Sequence, residues 1–65
     1  MKPECKLIGQ SGNVFNLIGI VRRSLKENEL YGELVQFDNE LKELQENGGR
    51  YDDVLVLIIK FVDVA

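Results

Sequence analysis

The stretch of sequence that decides the fold is residues 51–65, which read YDDVLVLIIKFVDVA. Its middle, VLVLII, is rich in β-branched residues and is compatible with either a buried strand or a helix. The spacing of the polar residues distinguishes the two. Asp53, Lys60 and Asp63 are seven and three residues apart, which places them on one face of a helix, whereas a strand would put Asp53 and Lys60 on opposite faces. We therefore predict a helix over about 51–64.

This third helix is apolar around most of its circumference. Its apolar side chains form two adjoining sides: Leu55, Ile58, Ile59 and Val62, and Val54, Leu57, Phe61 and Val64. A helix with so wide an apolar arc is buried on more than one side. Because two short helices leave part of it uncovered, we expect a homodimer that forms through this helix or through an N-terminal strand.

The preceding segment predicts a second helix over about 30–46. Its apolar residues step by three, four and three along one seam, an a/d pattern about two heptads long: Leu34, Phe37, Leu41 and Leu44. The other faces are mostly charged, so this helix lies at the surface with one narrow stripe buried. The glycines after Asn47 end it, since glycine readily adopts the left-handed conformation that closes a helix.

The first part of the chain predicts a short strand over about 5–9 and a first helix over about 14–28. A turn rich in glycine and small polar residues separates them. Asn13 is a good N-cap, because its side-chain oxygen accepts from the amides of the first helical turn. Gly19, inside the helix, suggests close approach of another backbone.

These elements predict a mainly α fold, in which a short N-terminal strand precedes a compact three-helix domain spanning residues 1–65. A chain of this length buries only ~60% of the surface that it exposes when unfolded. Cys5 is the single cysteine and there is no histidine. Neither an intramolecular disulfide nor a favourable structural zinc site is therefore expected, and self-association is the remaining route to stability.

Charge and hydropathy bear on location and partners. The net charge is −3, with five Lys/Arg and three Asp/Glu in residues 1–30 but three and eight in residues 31–65. The charged start does not resemble an export signal, and the longest apolar run, six residues, is far below the ~20 that span a membrane. We expect a cytoplasmic protein with no membrane segment.

The chain lacks the usual constellations of an active site. No histidine is present to activate Cys5 as a nucleophile, so a packed cysteine is expected. The loop at residues 9–13 lacks the lysine and hydroxyl pair of a phosphate-binding P-loop and is interpreted as a plain turn. We predict a protein that is not an enzyme and that uses no cofactor or metal.

Several short matches carry a resemblance to a known family: Cys5-Lys6-Leu7-Ile8-Gly9, Gly12-Asn13, Phe15-Asn16-Leu17 and Gly19. With them, the chain resembles a family of short uncharacterised proteins from prophages and conjugative elements of Gram-positive bacteria. In that family a Ser-Gly-Ser-Tyr-Glu-Glu-type turn opens the last helix. Residues 48–53, GGRYDD, keep the tyrosine and the acidic pair but not the serine cap. The resemblance implies a third helix and a mobile-element setting, and it transfers no functional residue.

The leading functional hypothesis is a small protein-interaction module that associates with itself and with an unidentified protein. Tyrosine suits interfaces. The residues expected to form the interaction surface are Tyr31, Tyr51, Leu57, Phe61 and Val64.

Two alternatives use charge instead. A nucleic-acid-associated regulator would contact phosphates through Arg22, Arg23 and Lys26 at the basic end of the first helix. An acidic overall charge disfavours this, and neutralisation of the helix dipole is the simpler interpretation of the three cations. An inhibitor that mimics DNA would use the carboxylates of the second helix, for which a net charge of −3 is low.

Overall fold

The structure, a computed structural model, describes residues 2–65 and confirms the mainly helical class with a short N-terminal strand and three helices. Its elements in chain order are β1 (Glu4–Cys5), α1 (Val14–Glu27), α2 (Tyr31–Glu46), α3 (Tyr51–Phe61) and β2 (Asp63–Val64). The two strands pair in parallel, with Glu4 opposite Asp63 and Cys5 opposite Val64. Residues 4–5 and 63–64, which are far apart in sequence, therefore form one small sheet.

The ends of α1 follow from its flanking residues. The Asn13 side chain accepts a hydrogen bond of 2.9 Å from the N–H of Phe15, which confirms the predicted N-cap. At the other end Asn28 is the C-cap, and the N–H of Leu30 returns to the carbonyl of Leu25 at 2.9 Å. Glu29, between them, takes the left-handed conformation with φ of 59°. This arrangement is a Schellman motif, usually built with glycine.

The C-terminus of α2 repeats that motif with glycine in place. Gly48 has φ of 74°, and the N–H of Gly49 donates to the carbonyl of Leu44 at 2.8 Å. The chain then enters α3, where the Asp53 carboxylate accepts from the N–H of Arg50 at 2.9 Å. That bond satisfies one backbone donor ahead of the helix, so α3 begins without a serine cap.

The helix predicted over 51–64 ends earlier, at Phe61. Val62 is the C-cap, and the residues after it are extended. The N–H of Asp63 donates to the carbonyl of Pro3, and the N–H of Ala65 donates to that of Cys5, both at 2.9 Å. Pairing with the N-terminus thus replaces the helical hydrogen bonds that a longer α3 would make.

The strand predicted over 5–9 is also wrong in its bounds, because the ladder covers only Glu4–Cys5. The N–H groups of Leu7 and Ile8 both donate to the carbonyl of Ala65 at 2.9 Å, so two successive residues converge on one acceptor instead of continuing a ladder. A turn follows, in which Gly9 has φ of 91°. The chain bends away from the sheet there.

The core lies where α3 packs against both α1 and α2, with β1 closing one end over α1. The largest fully buried side chains are Phe37, Leu25, Ile58, Val21 and Val62. Phe37 and Phe61 meet edge to face, with ring centroids 5.4 Å apart and planes at 78°. Among residues 2–65 the core contains no buried charged or polar residue. No helix in this part of the chain combines the length and apolar character needed to cross a membrane.

Candidate protein-interaction groove

An apolar groove of about 370 Å³ opens between the N-terminal segment, α3 and β2. Its walls, which define the apolar groove below, are Leu7, Ile8, Tyr51, Leu55, Ile59 and Val64. Leu17 and Ile58 contribute core side chains beneath them. None of the described residues that line the groove is charged, whereas charged side chains line three other clefts found on residues 2–65. The groove is therefore suited to an apolar occupant.

Three segments position these walls. Leu55 and Ile59 are one helical turn apart on α3, on the side away from α2. Val64 follows directly because β2 continues from the end of α3. Leu7 and Ile8 are held opposite by their two hydrogen bonds to Ala65. The same contacts that join the chain ends thus build the groove.

The walls remain largely open to solvent. Ile8 is 77% exposed and Ile59 56%, and Tyr51 and Val64 are exposed as well, while Leu7 and Leu55 are half-buried. At one end the Tyr51 hydroxyl lies beside Gly12, 3.8 Å from where a Cβ would stand. Clustered apolar side chains with this exposure typically mark an interaction surface.

The predicted interaction residues divide into three groups. Tyr51 and Val64 line the apolar groove, and Tyr31 is exposed elsewhere, beside the basic end of α1. Leu57 and Phe61 are only 8% and 7% exposed, so their placement on an exposed surface is wrong. The reason is that α2 packs across their side of α3, where Phe61 meets Phe37.

Sequence reasoning missed four of the six groove walls: Leu7, Ile8, Leu55 and Ile59. Leu55 and Ile59 are spaced by four, as are Leu57 and Phe61, and both pairs are wholly apolar. Periodicity alone does not say which pair faces α2. The lone signal was the excess apolar arc of α3, which predicted an uncovered side without identifying it.

The basic end of α1 carries less free charge than its sequence suggests. Arg22 binds the Asp38 carboxylate through two hydrogen bonds, Nε to Oδ1 at 2.9 Å and the terminal nitrogen to Oδ2 at 3.2 Å. Within residues 2–65, only Arg23 and Lys26 of the three cations lack an ion pair. A patch of two cations is a small footprint for phosphate binding.

The carboxylates of α2 are also partly engaged. Lys60 donates to Glu40 at 2.8 Å, and this bond, helped by one from Gln36, lowers the pKa of Glu40. Asp38 is held by Arg22. In the part of the chain that the structure describes, no group of three or more His, Cys, Asp or Glu residues is arranged to hold a metal ion. Partial neutralisation weakens the resemblance of this face to DNA phosphates.

Cys5 is buried in the core, as expected for a packed cysteine. Burial raises the pKa of its thiol, and a hydrogen bond with Ser24 of α1 opposes that effect without overcoming it. The thiol is therefore protonated at neutral pH and inaccessible, which makes it a poor nucleophile.

Comparison with protein-family models, with curated proteins and with solved structures finds no match to this chain.

Proposed function

We propose that this chain is a small, non-enzymatic protein-interaction module whose apolar groove binds apolar side chains of another polypeptide. The observation that carries the proposal is an uncharged groove whose walls include the exposed side chains of Ile8, Tyr51, Ile59 and Val64. We further propose that the protein is cytoplasmic, which its single unpaired cysteine supports. We also propose a mobile-element setting, which is supported by the resemblance of residues 5–19 and 48–53 to the family of prophage and conjugative-element proteins.

The exposure of the walls favours a polypeptide over a small molecule. A small-molecule site usually encloses most of its ligand. Here a small ligand between Ile8 and Ile59 would leave both side chains partly in water, because more than half of each is exposed. A protein surface covers the rims as well as the floor. A protein partner thus removes more apolar surface of the groove from water than a small ligand does.

The exposed walls can contribute apolar free energy to binding. Covering Ile8 and Ile59 completely contributes about 1–2 kcal/mol each, since full burial of such a side chain is worth ~1.5–3 kcal/mol and more than half of each is still exposed. Tyr51 adds a flat apolar ring with a polar tip, a combination favoured at interfaces. Two or three such contacts account for the centre of an interface.

The test is a selection of binding peptides from a random phage-displayed library, followed by titration of the selected peptides. Ile59→Lys places a charge in the apolar groove, and Val35→Lys places the same charge at a 60% exposed valine of α2 outside it. Both variants keep the core, so their circular dichroism, and their thermal unfolding at low protein concentration, should match those of the native chain. We expect apolar peptides that bind the native chain and Val35→Lys alike, and at least about tenfold weaker binding to Ile59→Lys. Equal binding to Ile59→Lys, or no enriched peptide, would refute the proposal.

A further inference from the structure

The outer edge of β2 has an unpaired backbone donor and acceptor at a single residue. Asp63 and Ala65 direct their N–H groups to β1. Because successive residues of a strand point their backbone groups to opposite sides, the N–H and C=O of Val64 point away from β1. Of the helices and strands, β2 contacts only β1 and α3. Within residues 2–65 neither backbone group of Val64 has a hydrogen-bond partner.

We infer that a second copy of this chain pairs with this edge, in a symmetric antiparallel dimer that places Val64 on the two-fold axis. The inference rests on the proposed interaction function and names the occupant of the apolar groove. In an antiparallel pair, two residues directly opposite can exchange both of their N–H···O bonds. A two-fold axis at Val64 brings the same residue of the second copy opposite, so one donor and one acceptor per copy satisfy each other completely.

The side chains support this arrangement. Val64 is in register with Cys5 and therefore points to the same face of the sheet, where Cys5 is buried. A second β2 at the edge places its own valine on that face, beside Val64 and over the groove wall formed by Ile59. Each copy covers the groove of the other. Each chain carries a net charge of −3, but no charged side chain lines the groove, so covering the groove buries no charge.

A stable dimer of this chain would bury a substantial fraction of its surface. A standard interface covers about 800 Å² on each partner, which is roughly a sixth of the 4612 Å² surface of this chain. The exposed walls of the apolar groove supply its apolar centre. Asp63, which is exposed beside Val64 and lies 3.6 Å from the Lys2 ammonium, supplies part of the polar rim that interfaces usually have. A domain of this length gains stability from such an association.

The first test is sedimentation equilibrium of the native chain and of Val64→Pro, from about 5 to about 500 µM. Proline removes the N–H that points outward, and proline is tolerated at such an edge position because the bonds to β1 come from the neighbouring residues. The native chain should approach twice 7.4 kDa. Loss of both reciprocal hydrogen bonds should raise the dissociation constant of Val64→Pro at least about tenfold. Val64→Ile keeps the N–H and a β-branched apolar side chain, so its dissociation constant should stay within about threefold of the native value.

The second test is disulfide formation at the axis, which does not depend on the fold of the proline variant. Val64→Cys is made in a Cys5→Ala background, since Cys5 lies in register with residue 64. Opposite Cα atoms in such a pair are about 5.5 Å apart, within the range that a disulfide bridges. Val64→Cys should give a covalent dimer on mild oxidation, and Val35→Cys, exposed on α2, should not.

The outcomes separate this inference from the proposed function. A native chain that stays at 7.4 kDa at the highest concentration overturns the dimer. A dimer that persists in Val64→Pro, with no selective cross-link at residue 64, overturns the geometry. In either case, peptide binding that is lost in Ile59→Lys still supports the interaction function. Unchanged peptide binding in Ile59→Lys would refute the interaction function independently.

Discussion

The most informative stability prediction concerns Glu29, which is a non-glycine residue in the left-handed conformation. Both α1 and α2 end in Schellman motifs, and the left-handed position is Glu29 in the first and Gly48 in the second. The left-handed conformation costs an ordinary residue roughly 1–2 kcal/mol. Glycine avoids that strain but loses more backbone freedom on folding, which offsets part of the gain. We expect Glu29→Gly to raise the free energy of unfolding by about 0.5–1 kcal/mol.

The converse substitution provides an internal comparison. Gly48→Ala introduces the same strain at the end of α2 and should lower the free energy of unfolding by about 1 kcal/mol. Gly32→Ala is the control, because Gly32 lies in the first turns of α2 and nothing stands within 4 Å of an added Cβ. Its helical conformation suits alanine, so this variant should be no less stable than the native chain.

Thermal and urea unfolding followed by circular dichroism measure these effects. For a domain of this size 1 kcal/mol corresponds to about 4–8 °C in midpoint, so Glu29→Gly and Gly48→Ala should move it in opposite directions. All variants are compared at one low protein concentration, because association shifts the apparent midpoint. A lower midpoint for Glu29→Gly would refute the reasoning, since it would mean that the motif contributes more through the glutamate side chain than the strained backbone costs.

Three further substitutions test other parts of the structure. Gly49→Ala should cost about 1–3 kcal/mol in urea unfolding, because the new Cβ would stand 2.8 Å from the Leu44 carbonyl oxygen and 2.5 Å from its Cγ; an unchanged midpoint would contradict this contact. The close approach of another backbone expected at Gly19 is wrong, because no atom lies within 4 Å of an added Cβ. Gly19→Ala should therefore raise the thermal midpoint, since alanine gains up to ~1 kcal/mol inside a helix; a loss of stability would contradict this open space. Glu40→Gln should be less stable than the native chain above pH 4.5, which is the ordinary pKa of glutamate. The difference in stability should vanish as the pH falls through the lowered pKa of Glu40, because protonation ends the ionic bond with Lys60. A difference that persists in acid would refute the ion-pair explanation.

Residues close in sequence were enough to predict most of the helical architecture. Asn13 caps the start of α1 as its side-chain chemistry predicts, and the helix ends at Glu27, one residue before the predicted limit. The four-residue seam of α2 and the glycines after it predicted the second helix to within one residue at its start. The seven-and-three spacing of polar residues correctly favoured a helix for the β-branched segment. Each of these signals acts within one or two helical turns, so the chain encodes them locally.

The sequence predicts that α3 has an uncovered apolar side, but it does not predict where that side lies. The wide apolar arc of α3 indicated an uncovered side, and Tyr51 and Val64 do line it. The expected exposure of Leu57 and Phe61 is wrong, because α2 covers one of the two equally apolar stripes of α3 and these residues lie on it. Ile8 joins the groove only through the return of the chain to its own start.

Local chemistry along the chain was therefore sufficient for the number, type and approximate limits of the helices, because caps and periodicity operate between neighbours. Contacts between distant residues decided where α3 stops, which of its faces is buried and where the groove opens. The end of α3 shows the physical reason. A backbone N–H can donate within a helix or across a sheet. Asp63 and Ala65 donate across a sheet because the carbonyls of Pro3 and Cys5, some sixty residues away in sequence, lie beside them in the folded chain.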